Sequence, residues 1–442
     1  MAPTATSRRP FGYWSTTFLV VANMIGAGVF TTSGFSLADL GDRQYVLLAW
    51  CCGGIIALCG AYSYGQLAQR IAESGGEYLF LSRMVHPAVG FVAGWVSLLA
   101  GFTGAIAFAA TVFEAYALPD AIRPQWCPTG MLGIASILIF GFLHAFVLRV
   151  GLGAQNLVVL AKVGLLCAFI GFAMRYFPGG WEGMQVTTEP VGFSISKMAG
   201  TLVWISLSFS GFNAAIYISG EVRDPKRTVP RALLTGTLLV TLFYLLLNFV
   251  FLFGPSPVAV KGEADIAAIA AKAIGGEPLA VLIRVIVSVA TLSSVSSMLI
   301  AGPRVYAQMA KDGVFPHWFR SAKQGDLDVP VKAIWLQVVL ACLMVYFTQI
   351  RGLLDYLGFT LSVSAALTVA CIFWTQREEE TTKGRGFAIF VASIYVSVTL
   401  GLAGLSLYNQ FSQLYGFLVT IVSGLILFSL MKGVDRQKPV EA

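Results

Sequence analysis

Across 442 residues the chain is 57% hydrophobic and only 12% charged, with a mean hydropathy of +0.77. A soluble domain carries about a quarter charged residues, so a soluble globule is excluded and a polytopic helical membrane protein remains. The formal charge of +7 does not point to nucleic acid, because Lys and Arg sit in short loops between apolar runs, as the positive-inside rule describes.

Twelve apolar segments follow one another, roughly 13–37, 45–69, 87–117, 130–149, 155–176, 194–220, 231–254, 278–310, 331–349, 352–375, 387–407 and 411–431. A spanning helix needs roughly 20 residues, and most of these runs supply them. Met1–Pro10 is polar and carries Arg8 and Arg9, and the run after it is far longer than a signal-peptide core, so no cleavable leader is expected. Most of the 29 basic residues fall in the N-terminal tail, the even-to-odd loops and the C-terminal tail, among them Arg223, Lys226, Arg227, Arg231, Arg304, Lys311, Arg377 and Lys432. Both termini are therefore expected in the cytoplasm, with the chain in the cell (inner) membrane. Ser74-Gly75-Gly76 and Asp224-Pro225 are turn signals on that side. The 255–277 segment is expected as an outer loop with a short amphipathic helix, and Arg377–Arg385 as a solvated loop. No segment is large or polar enough for a second domain, so 1–442 is read as one transmembrane unit.

The first run contains Asn23-Met24-Ile25-Gly26-Ala27-Gly28-Val29-Phe30. Each glycine weakens a helix by about 1 kcal/mol, and in lipid any freed backbone group must find a partner in protein or a watery cavity. Taken alone, the run fits close helix packing or a broken helix that holds a solute. The sixth run repeats the feature in Leu207-Ser208-Phe209-Ser210-Gly211-Phe212-Asn213. Charge directs the first and sixth runs oppositely, so spans 1–5 (about 13–176) and spans 6–10 (about 194–375) read as an inverted repeat, with spans 11–12 (about 387–431) appended. A matched pair of interrupted segments is the pointer to a transporter's binding site.

Lys162 lies well inside the fifth run. A lysine there costs at least about 2.5–3.5 kcal/mol, so it either faces the bundle interior with partners or snorkels to the interface. Glu114 is expected at the outer interface and His144 near the cytoplasmic end of span 4. Arg149 and the Glu221–Arg231 cluster read as topology determinants and loop ion pairs, with a gate role for Glu221 as the alternative. The seven cysteines have no metal or redox spacing; only Cys127, in a Pro-flanked loop, is expected to be exposed. No HExxH, P-loop or GxSxG motif has fitting context and the three histidines are far apart, so no catalytic residue, metal or cofactor is expected. The Gly-x-x-x-Asp-Arg-type motif of the major facilitator class is also missing between the second and third runs.

Gly26-Ala27-Gly28-Val29-Phe30 resembles the G-S/A-G-I/V-F signature of the amino acid–polyamine–organocation (APC) transporters. Tyr64-Gly65-Gln66-Leu67 through Ser74-Gly75-Gly76-Glu77-Tyr78 is similar to that family's second-to-third-span segment. Gly211-Phe212-Asn213, followed by Gly220-Glu221-Val222-Arg223-Asp224-Pro225-Lys226-Arg227-Thr228-Val229-Pro230-Arg231, resembles the G-W/F-N/D … E-E-V-x-N-P-x-R-x-x-P-R segment of its L-type and cationic amino acid branches. Arg304–Pro316 resembles the stretch that closes the eighth span. The resemblance implies an all-α, leucine-transporter-like fold of 12 transmembrane helices, a 5+5 inverted repeat with helices 1 and 6 broken. It implies sodium-independent amino acid transport by alternating access, as proton symport or exchange. A neutral substrate is favoured, since neither break holds the tryptophan or glutamate of the arginine exchangers. A cationic amino acid or polyamine permease, or a non-transporting sensor of the same fold, is the alternative.

A zwitterion needs an anion site and a cation site close together. The N–H groups of Gly26, Ala27 and Gly28, at a helix restart, suit the carboxylate. Carbonyls around Met24 and Ile25, and around Leu207, Phe209 and Ser210, suit the ammonium. Asn23 either touches the substrate or caps the break; Phe209 and Phe212 supply aromatic walls, and Gly211 and Asn213 complete the second break. Lys162 matches the fifth-span lysine of sodium-independent members, whose ammonium resembles a tethered sodium ion. It would link carbonyls near Ala22 and Ile25 to a span-8 hydroxyl, Ser294 and Ser297 being favoured over Ser293 and Ser296. Cys127 falls in the loop through which metazoan L-type relatives bond to a heavy chain. The short tails are expected of a stand-alone permease, so no heavy-chain partner is expected.

Overall fold

A computed structural model describes residues 11–73, 75–147, 152–176, 181, 184, 192–319, 322–324, 327–374, 382–408 and 411–435. Arg8, Arg9, Ser74, Arg149 and Arg377, singled out above, lie outside them. The described chain is helical apart from its loops and one small antiparallel ribbon, Ala322–Gln324 against Leu327–Val329. Among the described residues, eight helices are long and apolar enough to cross a membrane: Arg43–Arg70, Pro87–Ala117, Ile195–Glu221, Pro225–Phe253, Ile266–Ala307, Ile350–Phe373, Gly384–Ser406 and Gln413–Met431. Shorter apolar helices cover Met131–Phe146 and Val331–Phe347, and Leu152–Tyr176 carries Lys162. The first run is two pieces, Tyr13–Met24 and Thr32–Leu40. Outward faces of the spanning helices stay apolar, with Leu242 and Leu246 of Pro225–Phe253 and Val285 and Val289 of Ile266–Ala307 about half exposed. That pattern belongs to a bundle whose solvent is lipid and whose backbone bonds are satisfied within each helix.

The most extensive packing joins Arg43–Arg70 to Pro225–Phe253, which in turn holds Tyr13–Met24 on its flank. Small residues allow the approach: a Cβ on Gly54 would fall 2.3 Å from Thr241 Cγ2, and one on Gly53 2.5 Å from Ile205 Cγ2. Without a hydrophobic force between helices in lipid, such close backbone contact is the main source of cohesion. The run Ile266–Lys311 leaves helical geometry at Gly275 and Gly276, so its alanine-rich first turns form the short helix expected in the 255–277 segment. The loop before it folds over Thr32–Leu40, and Gly262 N–H donates to Gly34 O at 2.8 Å.

Glu114, near the outer end of its span, is 2% exposed, and its carboxylate accepts from Arg123 at 2.6 Å and from the N–H groups of Gly130 and Gly133 at 2.7 and 2.9 Å. It fastens the start of helix Met131–Phe142, and those donors offset its desolvation. Cys127 is buried, not exposed, because the loop turns back on itself with Cys127 N–H on Pro124 O at 3.0 Å. The exposed thiols are Cys51 and Cys167, on helix flanks. His144 is buried against Ser296, 2.8 Å away.

Candidate functional site

Helix Tyr13–Met24 stops at Ile25, whose ψ of 82° leaves the helical region. Ile25 N–H closes the last turn on Val21 O at 3.0 Å, and Gly26 N–H folds back to Met24 O at 2.8 Å. The chain restarts through the 3₁₀ turn Gly28–Phe30 into Thr32–Leu40. A break of this kind strips carbonyls of their helical donors, and here other side chains replace them. Lys162 Nζ donates to Ile25 O at 2.6 Å and lies 3.5 Å from Ala22 O. Tyr244, on helix Pro225–Phe253, directs its hydroxyl at Met24 O and, at 3.0 Å, at Ser208 O. One phenol thus reaches both broken helices, although its single proton serves one carbonyl at a time.

Helix Ile195–Phe209 ends in the same way. Ser210 has ψ 141°, Gly211 has φ +101°, and a 3₁₀ segment, Ala214–Glu221, follows. Only glycine takes that φ without strain, and a Cβ on Gly211 would also lie 2.8 Å from Asn23 O. A Cβ on Gly28 would fall 2.4 Å from Ser208 Oγ, and Thr32 Oγ1 is 3.1 Å from the same Ser208 hydroxyl. The breaks are pressed together. Behind them Phe209 packs on Trp50 and Tyr244, with ring centroids 5.9 and 5.2 Å away. Trp50 Nε1 is fixed by Ser33 Oγ at 2.7 Å.

A cavity of about 690 Å³ opens in front of the breaks, within the size range of small-molecule sites, about 300–1,000 Å³. Asn23, Phe209, Ser210, Gly211, Phe212 and Asn213 line it. The facing wall comes from Ser97, Gly101 and Phe102, on the π-helical turn Ser97–Gly104, and from Met298 and Ser362. Its mouth carries Glu73, Arg83, Glu221 and Asp312. Arg83 grips Glu73 at 2.5 and 2.7 Å, and the guanidinium holds that carboxyl below the usual range; exposed as it is, the pair adds little stability. The opposite end is shut. Tyr116 OH donates to Phe30 O at 2.6 Å and accepts from Ala267 N–H at 3.2 Å, and Arg284 pairs with Asp265 at 2.9 Å.

Of the residues expected at the site, Met24, Ile25, Ala27, Gly28 and Leu207 are buried behind this surface, and Gly26 is half-buried. The Met24 and Ile25 carbonyls, expected to face a bound ammonium, are taken by Tyr244 and Lys162. Asn23 lines the cavity while its Nδ2 donates to Leu19 O at 2.8 Å. Ser293 and Ser294 direct their hydroxyls to Ala290 O, at 2.7 and 3.1 Å, and Ser297 is half-buried one turn further on. Lys162 is itself 5% exposed and turns to the first break. Tyr244 was not anticipated, and its signal is slight: a phenol inside a leucine-rich run. Glu77 stands in a quoted motif without an assigned part.

The family model described as "Amino acid permease" matches residues 11–437, nearly the whole chain. The chain belongs to the amino acid permease family. The permease is 26% identical over 373 residues to the serine/threonine exchanger SteT of Bacillus subtilis, covering 83% of each chain. It is 24% identical over 443 residues to the b(0,+)-type amino acid transporter 1 of Mus musculus, covering 97% of this chain and 88% of that one. To the large neutral amino acids transporter small subunit 2 of Homo sapiens it is 23% identical over 376 residues, 82% of this chain and 69% of the relative. The APC resemblance is met, and this permease is an amino acid transporter of the membrane and not an enzyme.

Proposed function

We propose that this permease carries a neutral amino acid, without sodium, by alternating access, and that the structure is its cytoplasm-facing state. One observation carries the reading: a buried ammonium, Lys162 Nζ, sits on the carbonyls of the first break, where a free cation would otherwise be needed to hold that break. A tethered charge removes the need for sodium. The helix order fits twelve spans, with Tyr13–Leu40 and Ile195–Glu221 opening two oppositely directed halves, and the pressed-together breaks fit the axis of a 5+5 repeat. We assign the substrate carboxylate to the N–H groups of Gly26, Ala27 and Gly28, at the restarted helix, in a state of the cycle that uncovers the first break, and the ammonium to the carbonyl side of Phe209 and Ser210, beside the cavity in this one. Lys162, Ala22 and Ile25 form the coupling element, with Ser294 and Ser297 as the hydroxyls it reaches in another state of the cycle.

The cavity mouth, lined by residues that charge assigns to the cytoplasm, supports an inward-facing state with both termini on that side. The name of the Bacillus relative, a serine/threonine exchanger, supports a small neutral substrate and exchange over proton symport. A relative is called a small subunit, but the burial of Cys127 speaks for a stand-alone permease here. The test is uptake of labelled serine and threonine into proteoliposomes, with sodium and internal unlabelled amino acid varied and Lys162→Ala beside the parent. Sodium-independent uptake is expected, reduced at least about tenfold in Lys162→Ala, which strips a buried carbonyl of its donor. Sodium-driven uptake indifferent to Lys162 overturns the reading, and binding without uptake favours a sensor.

A further inference from the structure

Glu77 opens the short helix Gly76–Met84, between spans Arg43–Arg70 and Pro87–Ala117. Its side chain belongs to the cavity wall, yet the residue is only 6% exposed. The backbone before it is pressed inward: Gly76 has φ +63°, and a Cβ there would lie 2.1 Å from Tyr217 Cε1. Three neutral donors from three elements converge on the carboxylate. Tyr64 OH, from Arg43–Arg70, and Asn213 Nδ2, 3.2 Å away just past the second break, both meet Oε1; Ser364 Oγ, from Ile350–Ala370, meets Oε2 at 3.3 Å. Among the described residues no cation pairs with Glu77. Arg83, on the same helix, is held by Glu73, and Arg304 turns to the Ile300 carbonyl.

A carboxylate in this position has hydrogen bonds but no counter-charge, a combination that burial penalises. Oε1 takes two donors and Oε2 one, which leaves a lone pair on Oε2. We propose that Glu77 is a proton-binding site of the transport cycle, its Oε2 taking a proton from the cavity while the Ser364 hydroxyl turns from donor to acceptor. No covalent bond other than O–H is made: a hydronium ion in the cavity gives up the proton and becomes water. The consequence reaches the substrate site through Asn213, two residues from Gly211. Ionised, the carboxylate holds Asn213 by a charge-assisted bond; neutral, it holds it by a weaker one, and the lower part of the second break is released. The direction agrees with the surroundings, since burial raises the proton affinity of Glu77 against the opposing effect of its three donors.

The ionisable groups facing Glu77 are phenols: Tyr64, Tyr217 from the 3₁₀ segment after the break, and Tyr395 from Thr382–Ser406. On its own helix, Tyr78 bonds Asp312 at 3.2 Å and is pushed up to about 12 by burial and that carboxylate, and Arg83 is paired. Arg351 and Asp355 of helix Ile350–Ala370 are more than two turns from Ser364. Glu114 is at the far end of Pro87–Ala117, and His86, at its start, accepts from Ala88 N–H. Among Glu77 and the groups that face it, Glu77 is itself the one carboxyl, the others being phenols.

The inference rests on the transport reading above, so its test has two readouts. Exchange of labelled amino acid is measured in proteoliposomes from mildly acidic to mildly alkaline pH for the parent, Glu77→Gln and Ser364→Ala. Acid-minus-alkaline infrared difference spectra are recorded on the same purified proteins. The parent rate is expected to change with pH by up to about tenfold per unit, the limit for one linked proton. Glu77→Gln should be flat at the parent's acid-side rate, and Ser364→Ala, one donor poorer, should shift the profile toward alkaline pH. The infrared carbonyl band of a protonated carboxyl should titrate in the parent and be lost in Glu77→Gln. An unaltered profile and band in Glu77→Gln overturn the proposal, and should that variant not fold, an unmoved band in Ser364→Ala does so. If the parent transports no amino acid, the transport reading falls, while the band still decides the proton site.

Discussion

The two broken helices look alike in sequence and differ in what surrounds them. At the first, Lys162 and Tyr244 take the freed carbonyls of Ile25 and Met24, and six of its eight residues, Met24, Ile25, Ala27, Gly28, Val29 and Phe30, are buried. At the second, Ser210, Gly211, Phe212 and Asn213 line an open cavity. A glycine pair in an apolar run therefore announces a break but not its exposure, which depends on whether another helix supplies a donor. The first break is held by the protein, and the second is left to the cavity.

Three substitutions would break or sharpen that contrast. The largest effect is expected from Gly211→Val, which puts a β-branched residue at φ +101° and a Cβ 2.8 Å from Asn23 O. A loss of about 3 kcal/mol is expected from the left-handed backbone and the overlap together, read as a collapse of monodisperse protein on size exclusion and a large drop in unfolding temperature. Tyr244→Phe keeps the ring between Trp50 and Phe209 and removes only the hydroxyl. About 1–2 kcal/mol should be lost, with transport reduced, because both breaks share that donor; unchanged stability and uptake would show the bridge to be idle. The smallest effect is expected at Gly26. Its Cβ would meet nothing nearer than Met24 O at 3.9 Å, so Gly26→Ala should alter stability by less than about 1 kcal/mol, as followed by thermal unfolding.

The position of both breaks was legible because glycine, serine and asparagine interrupt runs that are otherwise continuous. Lys162 was legible for a related reason: a charge inside an apolar helix has to be met by something. Tyr244 was not, since a phenol among leucines reads as packing until a neighbouring helix aims a carbonyl at it. Cys127 was misjudged, because its place in a Pro-flanked loop suggested exposure, whereas the folded-back stretch covers it. Which of the expected residues would face the cavity also lay beyond pattern, because it follows from how two breaks meet, and that depends on contacts between Gly28 and Ser208 and between Gly211 and Asn23.

Those two contacts work like the teeth of a pair of gears. Each broken helix pushes backbone into a gap that only a missing side chain leaves in the other, so neither can slide along its partner without first drawing apart from it. Tyr244 reaches both across the seam. In the alternating-access cycle proposed above, a stroke that opens one end and shuts the other would carry the two helices as one piece, with the sliding taken up against the wall that faces them, where Ser97–Gly104 departs from regular winding.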